Sequence, residues 1–150
     1  MKAFRKLTVL VLALALIATV GISASAANYS ISQDYSDGSI AMANAELKTH
    51  EAFGEIILGT SDAVGNVFNI DLSYSYIPSI GPSAGIEVGP YNESNSATND
   101  WYCSAKKTVD ATKIAKLTSV TFSFDATFGL YYPGYGPYSF DPDPVTLTNP

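Results

Sequence analysis

The sequence LTSVTFSFDATF, which runs from Leu117 to Phe128, decides the fold class. Apolar side chains occupy alternate positions of this stretch from Val120 onward, and Ser, Thr and Asp stand between them. A period of two residues is typical of a β-strand that buries one face and exposes the other. The predicted buried face consists of Val120, Phe122, Phe124, Ala126 and Phe128.

A second stretch, NVFNIDLSYSYI from Asn66 to Ile77, repeats this alternation. We expect its strand to end at Pro78, because proline has no N–H to donate to a ladder. One apolar face and one polar face on each strand indicate antiparallel sheets with one side in water. The predicted buried face of this second strand consists of Phe68, Ile70, Leu72, Tyr74 and Tyr76.

The remaining segments add shorter strands and turns. Residues 40–58 predict one long strand in which Gly54 is a candidate bulge. Residues 85–89 and 101–107 predict short strands, and the Asn- and Ser-rich residues 91–100 predict a loop. Several strands without a convincing long helix predict an all-β domain over residues 40–140. The expected form is a small antiparallel β-sandwich or an open barrel.

Residues 27–39 and the C-terminal residues 130–150 differ in composition and in the structure that they predict. Residues 27–39 are polar and turn-rich, which predicts a flexible lead-in or an edge. LYYPGYGPYSFDPDP, residues 130–144, contains four prolines, so it cannot continue as a central strand or a helix. It is also too aromatic for an ordinary solvated tail. We therefore expect a packed arm up to about Phe140, followed by a frayed, Pro-rich tail over residues 141–150.

The N-terminus carries the features of a secretory signal peptide. Three cations precede a nearly continuous apolar run over residues 7–20, and Ala24-Ser25-Ala26 follows. This run is short for a transmembrane helix, which needs about 20 apolar residues, and the small residues suit a signal peptidase. We predict a cleaved signal peptide over residues 1–26, with cleavage after Ala27 as the near alternative and an uncleaved anchor as the rival interpretation.

Charge excludes several classes of partner. Without residues 1–26 the chain keeps five lysines and no arginine against fourteen carboxylates, a net charge of −9. Such a chain lacks the basic face that nucleic-acid binding needs, and it is a poor candidate for electrostatic docking on anionic lipid. No second apolar span follows residue 20, so we expect free secretion into the extracellular space without a stable membrane anchor.

Cysteine and histidine are each present once, which limits chemistry. Cys103 has no intramolecular disulfide partner and is expected to be a small buried hydrophobe, with an intermolecular disulfide as the alternative. His50 precedes Glu51 as in a zincin motif, but Gly54 stands where the second histidine is required. We therefore predict a protein that is not an enzyme and has no resident cofactor.

Calcium is the one metal that the composition leaves open. It prefers six to eight oxygen ligands, and several loops are rich in carboxylates and amides. Asx turns explain the same residues without an ion. The weak calcium candidates are Asp34, Asp37, Glu93 and Asp100.

Aromatic side chains supply the candidate binding residues. Trp101 and Tyr102 point to opposite faces of a predicted strand, so one of them is expected to be exposed. Exposed Trp and Tyr offer flat apolar surfaces with a polar handle, which suit proteins or sugar rings. The candidate ligand-binding residues are Trp101, Tyr102, Tyr131, Tyr132, Tyr135 and Tyr138.

These features favour a secreted, non-catalytic domain that acts by binding a protein or a cell-surface component such as a glycan. Two alternatives use the same features: a bacteriocin-like or toxin-like antagonistic effector, and a carbohydrate-binding module. A secreted hydrolase and a matrix subunit that adds strands edge to edge are weaker alternatives. The sequence leaves the ligand, the strand order and the oligomeric state open.

Overall fold

The computed structural model describes residues 27–62, 64–110, 116–130 and 137–149. The predicted signal peptide, Tyr131, Tyr132 and Tyr135 lie outside these ranges. The described residues contain no helix, and therefore none long and apolar enough to cross a bilayer. They form nine strands: β1 (Ala27–Asp34), β2 (Ile40–Leu47), β3 (Glu51–Gly59), β4 (Asn66–Pro78), β5 (Val88–Thr98), β6 (Tyr102–Asp110), β7 (Leu117–Leu130), β8 (Tyr138–Phe140) and β9 (Val145–Thr148).

The strands form two sheets in which every pairing is antiparallel. Sheet A has the order β1-β2-β3-β6. Sheet B has the order β5-β4-β7-β8. β8 pairs with Ala126–Phe128 of β7, and β9 pairs with Ser119–Phe122 of the same strand. The connection between β5 and β6 passes from sheet B to sheet A. The predicted all-β class with antiparallel sheets is confirmed.

The main core lies between the two sheets and draws side chains from both. The alternation of β4 and β7 is confirmed, because nine of their ten predicted inward side chains are buried and only Tyr76 is half-buried. Sheet A contributes mostly small or aliphatic residues, so the aromatic rings of sheet B fill the space. Cys103 is a free, buried thiol in this core, as expected. The largest side chains with almost no exposure include Phe68, Phe122, Phe124, Phe128, Phe140, Ile56 and Leu58.

The sequence predicted a possible bulge at Gly54, and the structure shows none there. The register of β3 is continuous with both of its neighbours across this residue. Instead the Phe122 ring of sheet B lies directly over the bare backbone. A Cβ at position 54 would lie 2.5 Å from Cδ1 and 2.9 Å from Cζ of that ring, closer than real contacts allow. Glycine is required here because no side chain fits between the sheets.

Residues 40–58 are not one strand but the hairpin β2–β3. The chain turns at Thr49 and His50, where the Lys48 N–H donates to the Glu51 carbonyl at 2.7 Å. Lys48 Nζ also lies 3.4 Å from Glu46 and 3.9 Å from Glu51. No glycine or proline marks this turn, which is why the sequence pattern did not reveal it.

The three segments predicted to be irregular or frayed all contain strands. Residues 27–34 form β1, so the flexible lead-in is wrong and the edge alternative is confirmed. Most of the predicted loop 91–100 belongs to β5, an edge strand exposed on both faces. The predicted frayed tail contains β9, which pairs with β7 from Ser119 to Phe122 and buries Leu147.

Replacing Gly54 by alanine tests the close approach of the sheets. We expect Gly54→Ala to lower the free energy of unfolding by about 1–3 kcal/mol, because the added methyl overpacks against Phe122. The measurement is chemical denaturation. Phe122→Leu should recover part of this loss when combined with Gly54→Ala, since the smaller side chain removes the clash. Equal stability of the native chain and the Gly54→Ala variant would contradict this packing.

Truncating Leu147 tests whether β9 belongs to the fold. Leu147 is 6% exposed, so Leu147→Ala should cost about 2 kcal/mol or more and lower the Tm clearly. Thr148→Ala, at the exposed neighbouring position of the same strand, is the control and should leave the Tm nearly unchanged. A frayed terminus would make both variants equally harmless.

Candidate functional site: an open sheet edge and its groove

Three of the four sheet edges are protected. The edge strands β5 and β6 are joined at a corner, where Asn95 Nδ2 donates to the Ser104 carbonyl at 2.8 Å. β6 also carries Lys106 and Lys107, and lysine on an edge opposes pairing with another strand. The far edge of sheet B consists of the short strands β8 and β9, which are separated by a segment containing Pro142 and Pro144. Short strands and prolines protect an edge in the same way.

β1 is the unprotected edge. Among the described strands it pairs only with β2, in an unbroken register over eight residues. It contains no lysine and no proline. Its residues 30–34 are exposed, including Ile31 at 38%. A regular, exposed edge strand presents unpaired N–H and C=O groups that can bind another strand.

The turn after β1 fixes which backbone groups point outward. The Tyr35 N–H donates to the Ser39 carbonyl at 2.9 Å, which closes the β1–β2 hairpin with a hydrogen-bonded pair. Gly38 has a φ of 89°, and the Gly38 N–H donates to the Tyr35 carbonyl, as in a three-residue hairpin loop. Bonded and non-bonded pairs alternate along an antiparallel ladder. The even-numbered residues of β1 therefore direct their N–H and C=O groups away from β2.

A groove of about 600 Å³ runs beside β1, between the edges of the two sheets. Tyr29 and Ile31 of β1 form one wall, and the chain between β8 and β9 and the start of β9 form the other. This size lies within the range of ligand sites, although the groove is open along its length. Its lining residues are Tyr29, Ile31, Asp141, Pro142, Asp143, Pro144, Val145 and Thr146.

The groove is acidic. Asp141 and Asp143 are exposed on its wall, and no lysine is among its lining residues. Burial raises the pKa of the Tyr29 hydroxyl, and the nearby Asp143 carboxylate raises it further. The Tyr29 hydroxyl therefore remains protonated at neutral pH and is available as a hydrogen-bond donor. The site combines an apolar wall, a hydroxyl and two carboxylates.

Buried carboxyl groups lie elsewhere, on the face of sheet A opposite the main core. Glu55 is 3% exposed, and its Oε2 lacks a hydrogen-bond partner among the described residues. It stands opposite Asn44 on β2 and Lys106 on β6. Burial raises the pKa of Glu55, while the charge of Lys106 lowers it in part. Glu55 does not line the groove, and we expect its ionisation to affect the stability of the fold.

The predicted aromatic residues do not form one surface in the described part of the chain. Trp101 is half-buried, and Tyr102 packs against the small cluster of Met42 and Ile57. Tyr138 contacts the Tyr35 ring at a centroid distance of 4.7 Å, with the two ring planes tilted by 39°. Tyr102 and Tyr138 thus make internal contacts, and Tyr131, Tyr132 and Tyr135 lie outside the described residues.

The calcium candidates are also not brought together. Glu93 pairs with Lys107 at 3.0 Å. Asp37 accepts a hydrogen bond from the Ser39 N–H, and Asp100 accepts one from the Trp101 N–H. Asp34 lies at the end of β1. The ranges that the structure describes contain no group of three or more His, Cys, Asp or Glu that could hold a metal ion.

The sequence did not indicate that the groove residues form one site. Tyr29 and Ile31 occupy alternate positions of β1, which is a weak indication of a strand. The polar residues around them make this alternation hard to recognise. Asp141 and Asp143 belong to an oxygen-rich segment, but nothing in the sequence places it beside β1. The proximity follows from the pairing of β9 with β7, which brings the chain terminus back to the open edge.

Comparison with known proteins gives no identification. No family model matches the chain, and no curated protein is significantly similar to it. Among solved structures, the X-ray structure of the Northeast Structural Genomics Consortium target SoR45 is 10% identical, with 87% of this chain and 91% of that chain covered. The TM-score of 0.28 is too low to establish a common fold. Functional inference therefore rests on the geometry of this chain.

Glu55 makes a specific contribution to the pH dependence of stability. Because its pKa is higher in the folded state, the folded chain binds more protons than the unfolded chain in the interval above the ordinary value of 4.5. The contribution of Glu55 is therefore greatest at low pH and declines as the pH rises through that interval. Glu55→Gln should reduce this decline, measured as Tm against pH.

Glu51→Gln is the control for this measurement, because the Glu51 side chain is 44% exposed. It should leave the pH dependence close to that of the native chain. If Glu55→Gln and Glu51→Gln gave the same pH profile, the burial of Glu55 would not govern the effect.

Proposed function

We propose that the protein is an exported β-sandwich that acts by binding, without catalysis, an extended segment of another protein. The segment would add to β1 as a further strand of sheet A. The observation that carries this proposal is the regular, exposed β1, whose outward backbone groups border an acidic groove. In strand addition, main-chain hydrogen bonds supply affinity and the pockets for alternate side chains supply specificity.

The geometry supports an extended ligand of limited length. Eight residues of β1 offer an edge of about 26 Å at roughly 3.3 Å per residue. Alternate side chains of the added strand would point into the groove, where Ile31 offers an apolar contact and Tyr29 a hydroxyl. The other side chains would extend the outer face of sheet A.

The charge of the groove supports a cationic partner. Lysine or arginine side chains that enter the groove would pair with Asp141 and Asp143, which have no cation beside them in the lining. A second copy of this chain is a poorer partner. Its own β1 would bring Asp34 and no cation, and both copies carry a strongly negative charge.

A peptide also matches this edge better than a glycan does. The outward N–H and C=O groups of β1 repeat with the spacing of a peptide backbone. Tyr29 is the only aromatic residue among those lining the groove, and it is half-buried. Trp101 and Tyr102, the predicted sugar-stacking residues, lie on other parts of the fold.

Proline at position 32 tests the backbone role of β1. The Ser32 N–H points away from β2, so Ser32→Pro should keep the hairpin while removing a donor for the added strand. We expect at least about tenfold weaker binding of a fluorescent peptide of alternating lysine and valine, measured by anisotropy. The Tm and circular dichroism spectrum should stay close to native.

Ser32→Ala is the matched control, because it keeps the N–H and should bind like the native chain. Asp141→Asn together with Asp143→Asn should weaken binding of the lysine peptide and reduce its sensitivity to salt. A peptide of alternating glutamate and valine should bind least. Unchanged affinity in a folded Ser32→Pro variant would reject strand addition to β1.

A further inference from the structure

The connection between β4 and β5, residues 79–87, exposes two isoleucines. Ile80 is 63% exposed and Ile86 is 62% exposed, so most of both side chains lies in solvent. No charged residue occurs from Ser79 to Ile86 in the sequence SIGPSAGI. Two large apolar side chains exposed to this extent in one short connection make it a candidate interaction site. We call residues 79–86 the apolar tip.

The apolar tip is a preformed structure. The Gly85 N–H donates to the Pro78 carbonyl at 2.9 Å, and the Ala84 N–H donates to the Gly81 carbonyl at 3.1 Å. At its base, the Ser79 N–H donates to the Lys116 carbonyl at 2.8 Å. Internal and basal hydrogen bonds of this kind hold a loop in one shape without a packed core beneath it.

The tip is open to solvent at its two glycines. Gly81 and Gly85 adopt φ angles of +101° and +74°, which glycine allows. A Cβ added to either residue would have no heavy atom within 4 Å beyond its chain neighbours. The space beside the backbone at both turns is therefore open.

Charged groups are arranged around the base and not at the end of the tip. Glu87 follows Ile86, but its carboxylate accepts a hydrogen bond from Ser75 Oγ at 2.6 Å and is held toward β4. Lys116 is exposed beside the base, where its backbone contacts Ser79. At a membrane surface, a lysine beside an apolar loop can place its ammonium group among the lipid phosphates while the apolar side chains insert below them.

We propose that the apolar tip inserts into the interface of a phospholipid bilayer and docks the protein reversibly on a membrane surface. Ile80 and Ile86 would enter the boundary between headgroups and acyl chains, and Lys116 would remain at the level of the phosphates. Protein interfaces are instead enriched in arginine, and the tip has none. The strongly acidic chain opposes anionic lipid, so the surface is a zwitterionic one.

The test is cosedimentation of the exported, processed protein with phosphatidylcholine vesicles. We expect the native protein to bind, and Ile80→Ser combined with Ile86→Ser to reduce the partition coefficient at least about tenfold. Each single variant should have an intermediate effect. Vesicles containing phosphatidylglycerol should bind no better, because their charge repels the acidic body.

Val64→Ser is the matched control. Val64 is 67% exposed but precedes β4, whereas the tip follows it, so the two sites lie at opposite ends of that strand. This variant should bind vesicles like the native protein, and all variants should keep the native Tm. The proposal is overturned if the native protein stays in the supernatant at all lipid concentrations, which would leave the tip as a protein contact. It is also overturned if the double variant binds normally.

Discussion

The contact between the Phe122 ring and the bare backbone at Gly54 sets the distance between the two sheets. The same ring stacks on Phe124 at 6.1 Å and lies 6.3 Å from Tyr74, its partner across β4 and β7. Phe122 is also the last residue of β7 that pairs with β9. A single residue, through its side chain and its backbone, thus connects sheet A, both central strands of sheet B and β9.

Much of this central architecture could be predicted from residue pattern, but the edges could not. The alternation from Val120 to Phe128 identifies β7 because one face is buried and the other is wet. β5 and β1 are exposed along most of their length, so their sequences show little contrast between faces and resemble loops. The turn at Thr49 and His50 lacks the glycine or proline that usually reveals a hairpin.

The candidate site was beyond reach of the sequence for a different reason. Tyr29 and Asp143 lie more than a hundred positions apart and meet only because β9 returns to the open edge. Sequence reasoning instead selected aromatic residues by type. Among the described ones, Tyr102 and Tyr138 make packing contacts and Trp101 is half-buried. Residue type alone does not distinguish an aromatic ring that packs within the protein from one that binds a ligand.

Unequal protection of the sheet edges is the basis of the proposed strand addition to β1. The lysines of β6, the corner at β5 and the short strands β8 and β9 oppose pairing, whereas β1 does not. The most direct test is residue-resolved hydrogen exchange of β1 with and without the lysine–valine peptide. Strand addition to β1 predicts new protection at the even-numbered amides from Asn28 to Asp34, with little change at the odd-numbered amides already bonded to β2. New protection confined to β5, or none on β1, would contradict it.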